Sequence, residues 1–301
     1  MKERPSPLVL YSSGRASRLP DFLLLFALLS LAVFFLIRTS ALPQYDWNWR
    51  LLLDFIVIKN SSGDWEAGLL IRGLVMTLRI GFWTILLSFL CGAPLGALAA
   101  RARPATQFAI HAYINIIRDI PPLVLLFCVY FFAGNLFPVA AINFFVQALP
   151  APLPDFVNAT FAPSAQMDRM LSAVVALGLY QGAFVAEIVR TGIESVPRGQ
   201  WDAALALGFL PRQALIKVVF PQAARLIIPP MTGQAIATIK DSALASMISL
   251  PELTFQSLEA MSVSQLTFEI WIVCALLYLI LGLACAWAGK FLEKRRASFE
   301  Y

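Results

Sequence analysis

Histidine occurs once in these 301 residues, at His111, which removes zinc sites and histidine-based triads from consideration. Cysteine is almost as scarce. Cys91, Cys128, Cys274 and Cys285 stand in apolar runs without CxxC spacing, and they read as small buried hydrophobes. No G-x-x-x-x-G-K-[ST] is present, because Gly289-Lys290 is followed by Phe291 with no glycine at the required distance. HExxH and GxSxG are missing too, so a membrane-embedded hydrolase lacks its parts. The largest deficit is charge. Only 14% of residues are charged, against roughly 25% in soluble domains. Apolar residues make up 59% and the mean hydropathy is +0.74, the composition of a polytopic membrane protein. The net charge of +5 therefore reports on membrane topology and not on nucleic acid.

A helix needs roughly 17–25 mostly apolar residues to cross a bilayer. Six segments qualify: Asp21–Ile37, Leu74–Ala100, Asn115–Phe137, Met170–Val189, Arg225–Leu250 and Ile270–Phe291. The first lacks a small-residue cleavage site and follows a basic, proline-containing tail, so it is expected to be a retained span. Lys and Arg set the direction. They cluster in the N-terminal tail (Lys2, Arg4, Arg15, Arg18), after the second span (Arg101, Arg103), after the fourth (Arg190, Arg198, Arg212, Lys217) and at the C-terminus (Lys290, Lys294, Arg295, Arg296). The loops Pro138–Asp168 and Pro251–Glu269 hold neither residue, and Thr39–Leu69 has more acids than bases. Both termini are expected inside the cell. The fold class is all-α, with six transmembrane helices. In the outer loops, "ALPAPLPDFV" is expected to be extended, and Trp47, Trp49 and Trp65 suit an interfacial belt.

One cytoplasmic segment, "QWDAALALGFLPRQALIKVVFPQAARLIIPP" from Gln200 to Pro230, is too long and too rich in helix formers for a plain connection. Asp202 to Leu207 predicts a short helix with its acid at the positive end. Gly208 stands where a helix C-terminus wants a residue tolerant of positive φ. Pro211 fits the first turn of a second helix, expected to stop at Pro221. The result is a bent pair of short helices exposing Arg212 and Lys217.

Here the residues resemble a known family. Permeases of ABC importers carry an EAA motif: Glu-Ala-Ala, Gly after three residues, and Ile-x-Leu-Pro beginning nine residues later. This chain has Asp202-Ala203-Ala204, Gly208 and Val218-Val219-Phe220-Pro221 at that spacing, with Asp for Glu, Val for Ile and Phe for Leu. "AEIVRTGIESVPRGQWDAALALG" (Ala186–Gly208), "FPQAAR" (Phe220–Arg225), "IKDSALASMISLPEL" (Ile239–Leu253) and "YINIIRDIPPLVLLF" (Tyr113–Phe127) resemble the polar amino acid subfamily (histidine, glutamate, glutamine, arginine and opine types). In the last of these, Asp119 replaces a small residue.

The resemblance implies a transmembrane subunit of a type I ABC importer in the bacterial inner membrane. It also implies the division of the chain. Residues 1–68 would hold the tail, an extra first helix and the first outer loop. Residues 69–292 would be the importer domain, with its coupling loop at about 198–221, and residues 293–301 a cytoplasmic tail. Gly199, Asp202, Ala203, Ala204, Gly208, Pro211 and Pro221 would form the loop that docks on an ATPase dimer. ATP and Mg would be bound by that partner, and this chain would be neither an enzyme nor a holder of cofactor or metal. A second permease subunit, alike or different, and a periplasmic binding protein complete the implied assembly. Closure of the ATPase would drive alternating access.

Candidates for the solute path come from charge inside spans, which is costly and usually faces a bundle interior. Lys240 and Asp241 are adjacent in a fifth span that Pro229-Pro230 and Gly233 are expected to interrupt. They are about 100° apart on a helix, so they need separate partners or local unwinding. Substrate contact, a gate, and a structural ion pair all fit them. Arg79 either snorkels or meets solute. Gln181 and Tyr180 either line the path or join helices. Arg118, Asp119, Glu187 and Arg190, near cytoplasmic helix ends, are expected to anchor the coupling loop by ion pairing. The alternative is an ion-coupled secondary transporter, which would show broken helices in both halves. Only the fifth span reads as broken.

Overall fold

Proline decides where the helices of this chain start and bend, and the resulting breaks set the architecture. The computed structural model describes residues 47–60, 63–101, 103–133 and 139–297, with isolated residues between 26 and 45. It divides into two units, 1–47 and 48–301. In the first, the described residues between 26 and 38 are helical, and the rings of Tyr45 and Trp47 meet edge to face at 5.2 Å. Most of the expected first span, Asp21–Ile37, lies outside the described residues, as does the N-terminal tail.

The second unit opens with α1 (Trp49–Ile56), whose first turn is capped when the Leu51 N–H donates to Asn48 Oδ1 at 3.1 Å. An antiparallel hairpin follows, β1 (Val57–Lys59) on β2 (Trp65–Ala67), with Ile58 opposite Glu66. Then comes α2 (Leu69–Ala99), 31 residues long.

The expected third span is two helices, not one. α3 (Pro104–Asp119) and α4 (Pro122–Cys128, carried on by a π turn Val129–Ala133) meet at a bend of 101°. Ile120 and Pro121 each precede a proline, and both adopt the extended backbone which that position favours. The expected extended stretch after it is also corrected. α5 (Val139–Ala148) and α6 (Leu153–Thr160) are helices, and Pro152 and Pro154 fall at the N-cap and first turn of α6, where a missing N–H costs nothing.

α7 (Met167–Glu194) is the centre of the unit. It packs against α2 at a line of glycines, Gly92 and Gly96 on α2 against Gly182 and Ala186 on α7. A Cβ on Gly96 would overlap the Ala186 carbonyl oxygen, and one on Gly92 that of Gly182. Without a hydrophobic force between helices in lipid, such backbone contact is what holds them. Around it Ile80, Leu126, Met170, Leu177 and Ile248 form a buried cluster.

After α7 come α8 (Arg198–Ala206), α9 (Pro211–Ala214), a π turn Leu215–Val219, and α10 (Phe220–Asp241) with a 3₁₀ extension Ser242–Ile248. Three expectations fail here. α8 starts at Arg198, directly after Pro197, so Asp202 stands inside the helix and not at its positive end. Pro221 does not stop a helix, because the π turn shifts the hydrogen-bond ladder and leaves that proline in the first turn of α10. Pro229-Pro230 does not interrupt the fifth span either. Ile227 packs on Gly192 of α7, and Ile236 and Thr232 reach Gly282 and Gly289 of the last helix, so α10 is held on both sides of its prolines. The change of helix type comes after Asp241.

α11 (Leu253–Ser264) and α12 (Thr267–Ala297) close the unit. α11 lies within the expected outer loop Pro251–Glu269. Among the described residues four helices are long and apolar enough to cross a membrane, or five if the bent pair α3–α4 counts as one span.

Candidate functional site

Two constellations stand at the two ends of the same pair of helices. At one end is the expected coupling hairpin. α8 ends in a Schellman arrangement: Gly208, at φ 85°, donates to the Leu205 carbonyl at 3.0 Å, and Phe209 donates to that of Ala204 at 3.2 Å. A Cβ at Gly208 would meet nothing within 4 Å, so the left-handed backbone, and no contact inside this chain, calls for glycine there. Pro211 opens α9, where the Leu210 N–H donates to Gln213 Oε1 at 3.0 Å.

The inner face of the hairpin is anchored. Trp201 and Ala204 are buried with Val189, Ile193, Val219 and Ala223. The Arg101 guanidinium lies 3.7 Å from the centre of the Trp201 ring, tying the α2–α3 turn to α8. Gln222 donates to Gln200 Oε1 at 3.3 Å across the bend. The outer face is open. Gly199, Asp202 and Ala203 are exposed, and Leu205, Leu207, Leu210 and Ile216 present apolar side chains outward, Leu207 being 80% exposed. Arg212 and Lys217 are exposed as expected, Lys217 lying 5.7 Å over the Phe209 ring. Pro211 is exposed at the start of α9 and Pro221 in the first turn of α10.

The ion pairs expected to anchor this loop lie elsewhere. Arg190 binds Glu187 and Glu194, each at 2.6 Å, and all three belong to α7. Their spacing of three and four residues makes them neighbours on one helix face, and that local partner wins. Arg118 stacks over Phe184, 4.8 Å from the ring centre, while Asp119 is exposed.

At the other end is a polar chain between α7 and α10. Gln234 donates to Gln181 Oε1, and Gln181 donates to Asp241 Oδ2 at 2.7 Å. Gln181 is 1% exposed. Asp241 is part-buried and takes one donor, Gln181, which lowers the cost of placing a carboxylate within a membrane. Lys240 is exposed and forms no ion pair among the described residues. Thus the adjacent pair has separate environments, as their helical angle requires. Tyr180 packs its ring on Phe184 at 5.2 Å. Arg79 does not join this chain; it lines an apolar groove with Phe82, Trp83 and Phe156.

Several participants escaped the sequence reading. Gln234 was visible in principle, seven residues before Asp241 and so on the same helix face. Glu252 was not. It is fully buried, and accepts from the N–H groups of Thr254 (2.9 Å) and Phe255 (2.8 Å), from the Tyr278 hydroxyl (2.7 Å) and from Thr77 (3.4 Å). Burial pushes its carboxyl above the usual carboxylate range against those donors. The knot joins α2, α11 and α12, and only long-range packing brings it together.

Membrane-length helices, a polar chain between two of them and an exposed hairpin joining those same two define a polytopic helical membrane protein. The family model described as "binding-protein-dependent transport system inner membrane component" matches residues 92–298, and the chain belongs to that family. It is 30% identical over 237 residues to the glutamate/aspartate import permease protein GltJ of Escherichia coli K12, covering 79% of this chain and 89% of that protein. It is 32% identical over 258 residues to the glutamine transport system permease protein GlnP of the same strain, covering 84% and 98%. Among solved structures, a crystal structure of an amino acid ABC transporter with histidines superposes with a TM-score of 0.59 at 29% identity, over 75% of this chain and 94% of that one.

Proposed function

We propose that this chain is the transmembrane permease subunit of an ATP-driven type I importer for a polar amino acid or a close derivative. The observation that carries the mechanism is connectivity. α7, which bears Gln181, runs into the hairpin within four residues of its end, and from Pro211 the chain stays helical as far as Asp241. At 1.5 Å per residue, about 45 Å separates Pro211 from Asp241. A push on the hairpin therefore reaches both partners of the polar chain through stiff rods. ATPase closure slides α10 against α7 and opens the solute path to alternate sides of the membrane.

In this reading Leu205, Leu207, Leu210 and Ile216 enter an apolar groove of the ATPase, with Asp202 at its rim. Gly199, Ala203 and Ala204 keep the turn slim, Gly208 with Pro211 sets its bend, and Pro221 starts the rod that leads away from it. Asp241 receives the ammonium of the solute, Lys240 its carboxylate, and Gln181 and Gln234 orient the acid. The relatives named above are permeases for glutamate/aspartate and glutamine, which supports a polar amino acid here. Six spans with both termini inside, residues 1–68 as an added module, residues 69–292 as the importer domain and residues 293–301 as a tail complete the proposed layout. So do a second permease subunit, an ATPase dimer that binds ATP and Mg, a periplasmic binding protein, and a place in the bacterial inner membrane.

The test is Leu207→Asp in the reconstituted transporter. Its side chain touches little of this chain, so folding survives, while ATP turnover stimulated by loaded binding protein drops at least tenfold, the scale of one lost apolar anchor. Normal stimulation in that variant sinks the docking role.

A further inference from the structure

Arg79 is left unused by the transport reading. Among the described residues it makes no ion pair and no hydrogen bond. It stands in a groove of about 480 Å³ between α2 and α6, whose other walls are almost wholly apolar and include no carboxylate. The groove is built, not incidental. Trp83 Nε1 donates to the Thr160 carbonyl at 3.0 Å, and the Trp83 ring meets Phe161 edge to face at 5.5 Å, which fixes α6 to α2. Phe82 and Phe156 stand exposed along it.

Depth gives the groove its meaning. α2 has 31 residues, so it is about 46 Å long against a hydrocarbon core of about 30 Å. Arg79 sits about 15 Å from the start of that helix. If the helix is centred, its Cα lies about 7 Å inside the hydrocarbon, and helical side chains lean toward the N-terminal end, here toward the nearer interface. An extended Arg side chain spans about that depth, so the guanidinium snorkels to the hydrocarbon edge, where it draws a lipid phosphate down to meet it. Arg72, one heptad nearer that end on the same face, is already paired with Glu66 at 3.3 Å. Arg79 has no such partner.

We propose that this groove binds one anionic phospholipid, with its phosphate on the Arg79 guanidinium and an acyl chain along Phe82, Trp83 and Phe156. Guanidinium matches phosphate with paired, charge-assisted donors. The absence of a lining carboxylate leaves nothing to receive a choline or ammonium headgroup, so the net-negative lipid is preferred. The apolar walls account for a tethered chain, which a free anion does not supply. The inference rests on α2 crossing the membrane and not on the import reading.

The experiment is native mass spectrometry of the assembled transporter, released from nanodiscs of phosphatidylcholine with a minor fraction of phosphatidylglycerol. Wild type retains one phosphatidylglycerol per chain. Arg79→Gln lowers the retained phosphatidylglycerol-to-phosphatidylcholine ratio about fivefold, the scale of one basic residue at a membrane surface. Arg79→Lys keeps part of the preference, and added inorganic phosphate displaces nothing. An unchanged ratio in Arg79→Gln overturns the proposal, as does displacement by phosphate, which would reveal a free-anion site. A photoactivatable side chain at position 156 that captures a protein chain in place of lipid overturns it as well. If Arg79→Gln fails to assemble, Phe156→Asp, at an exposed wall position, must abolish retention for the proposal to stand.

Discussion

At the scale of single residues, Asp241 and Glu252 are held by neutral donors and not by opposite charges. Asp241 takes a hydrogen bond from Gln181, and Glu252 takes four, two of them from backbone N–H groups at the start of α11. Neither is in an ion pair among the described residues. A carboxylate held by neutral donors stays available to a cationic ligand, whereas one locked to Arg does not. Asp241→Asn tests this directly, because it keeps the shape and loses the charge. A hydrogen bond to a charged group contributes about 1.5–3 kcal/mol, so the apparent KM for transport should rise roughly tenfold to a hundredfold. Basal ATP turnover should stay near wild type. An unchanged KM would remove Asp241 from the solute path. Asp241, Lys240 and Gln181 were legible as charge or amide within a span, but their pairing was not, since nothing in the order of residues says which helix faces which.

Elements reveal a different division. The start at Pro211 and the bend at Gly208 follow from residue type, whereas Asp202, expected to open a helix, lies inside α8, which starts at Arg198. Stops were poorly marked, because proline ends a helix only when nothing else supplies the missing support. In α10 packing on α7 and α12 supplies it, and at Pro221 a π turn does. In the α3–α4 corner nothing does, and the chain turns by 101°. The α2–α7 contact makes its own forecast. Gly96→Leu would force side-chain atoms into the backbone of Ala186, and overpacking of this kind costs about 1–3 kcal/mol. The melting temperature in detergent should fall by several degrees, while Gly199→Leu, at an exposed glycine with open space around it, should leave it unchanged. Equal melting of both variants would mean that the helices are held by something other than backbone approach.

The molecule as a whole makes sense only across a membrane. In the proposed topology, which follows the positive-inside rule, the hairpin lies inside the cell and α11 outside. Ser262→Cys, in a background without native cysteines, should react with an impermeant maleimide in intact cells, and Arg212→Cys only after permeabilisation. The reverse pattern would invert the proposed topology. Composition and the spacing of charges by themselves determined the helical membrane class, the position of the hairpin and the family resemblance, because each depends on residues close together in the chain or on sums along it. Tertiary structure alone decided the Gln234–Gln181–Asp241 chain, the Glu252 knot and the separate groove of Arg79. Those depend on which faces of distant helices meet, and in lipid that is chosen by close backbone contact at small residues such as Gly92 and Gly96, whose partners the order of residues does not name.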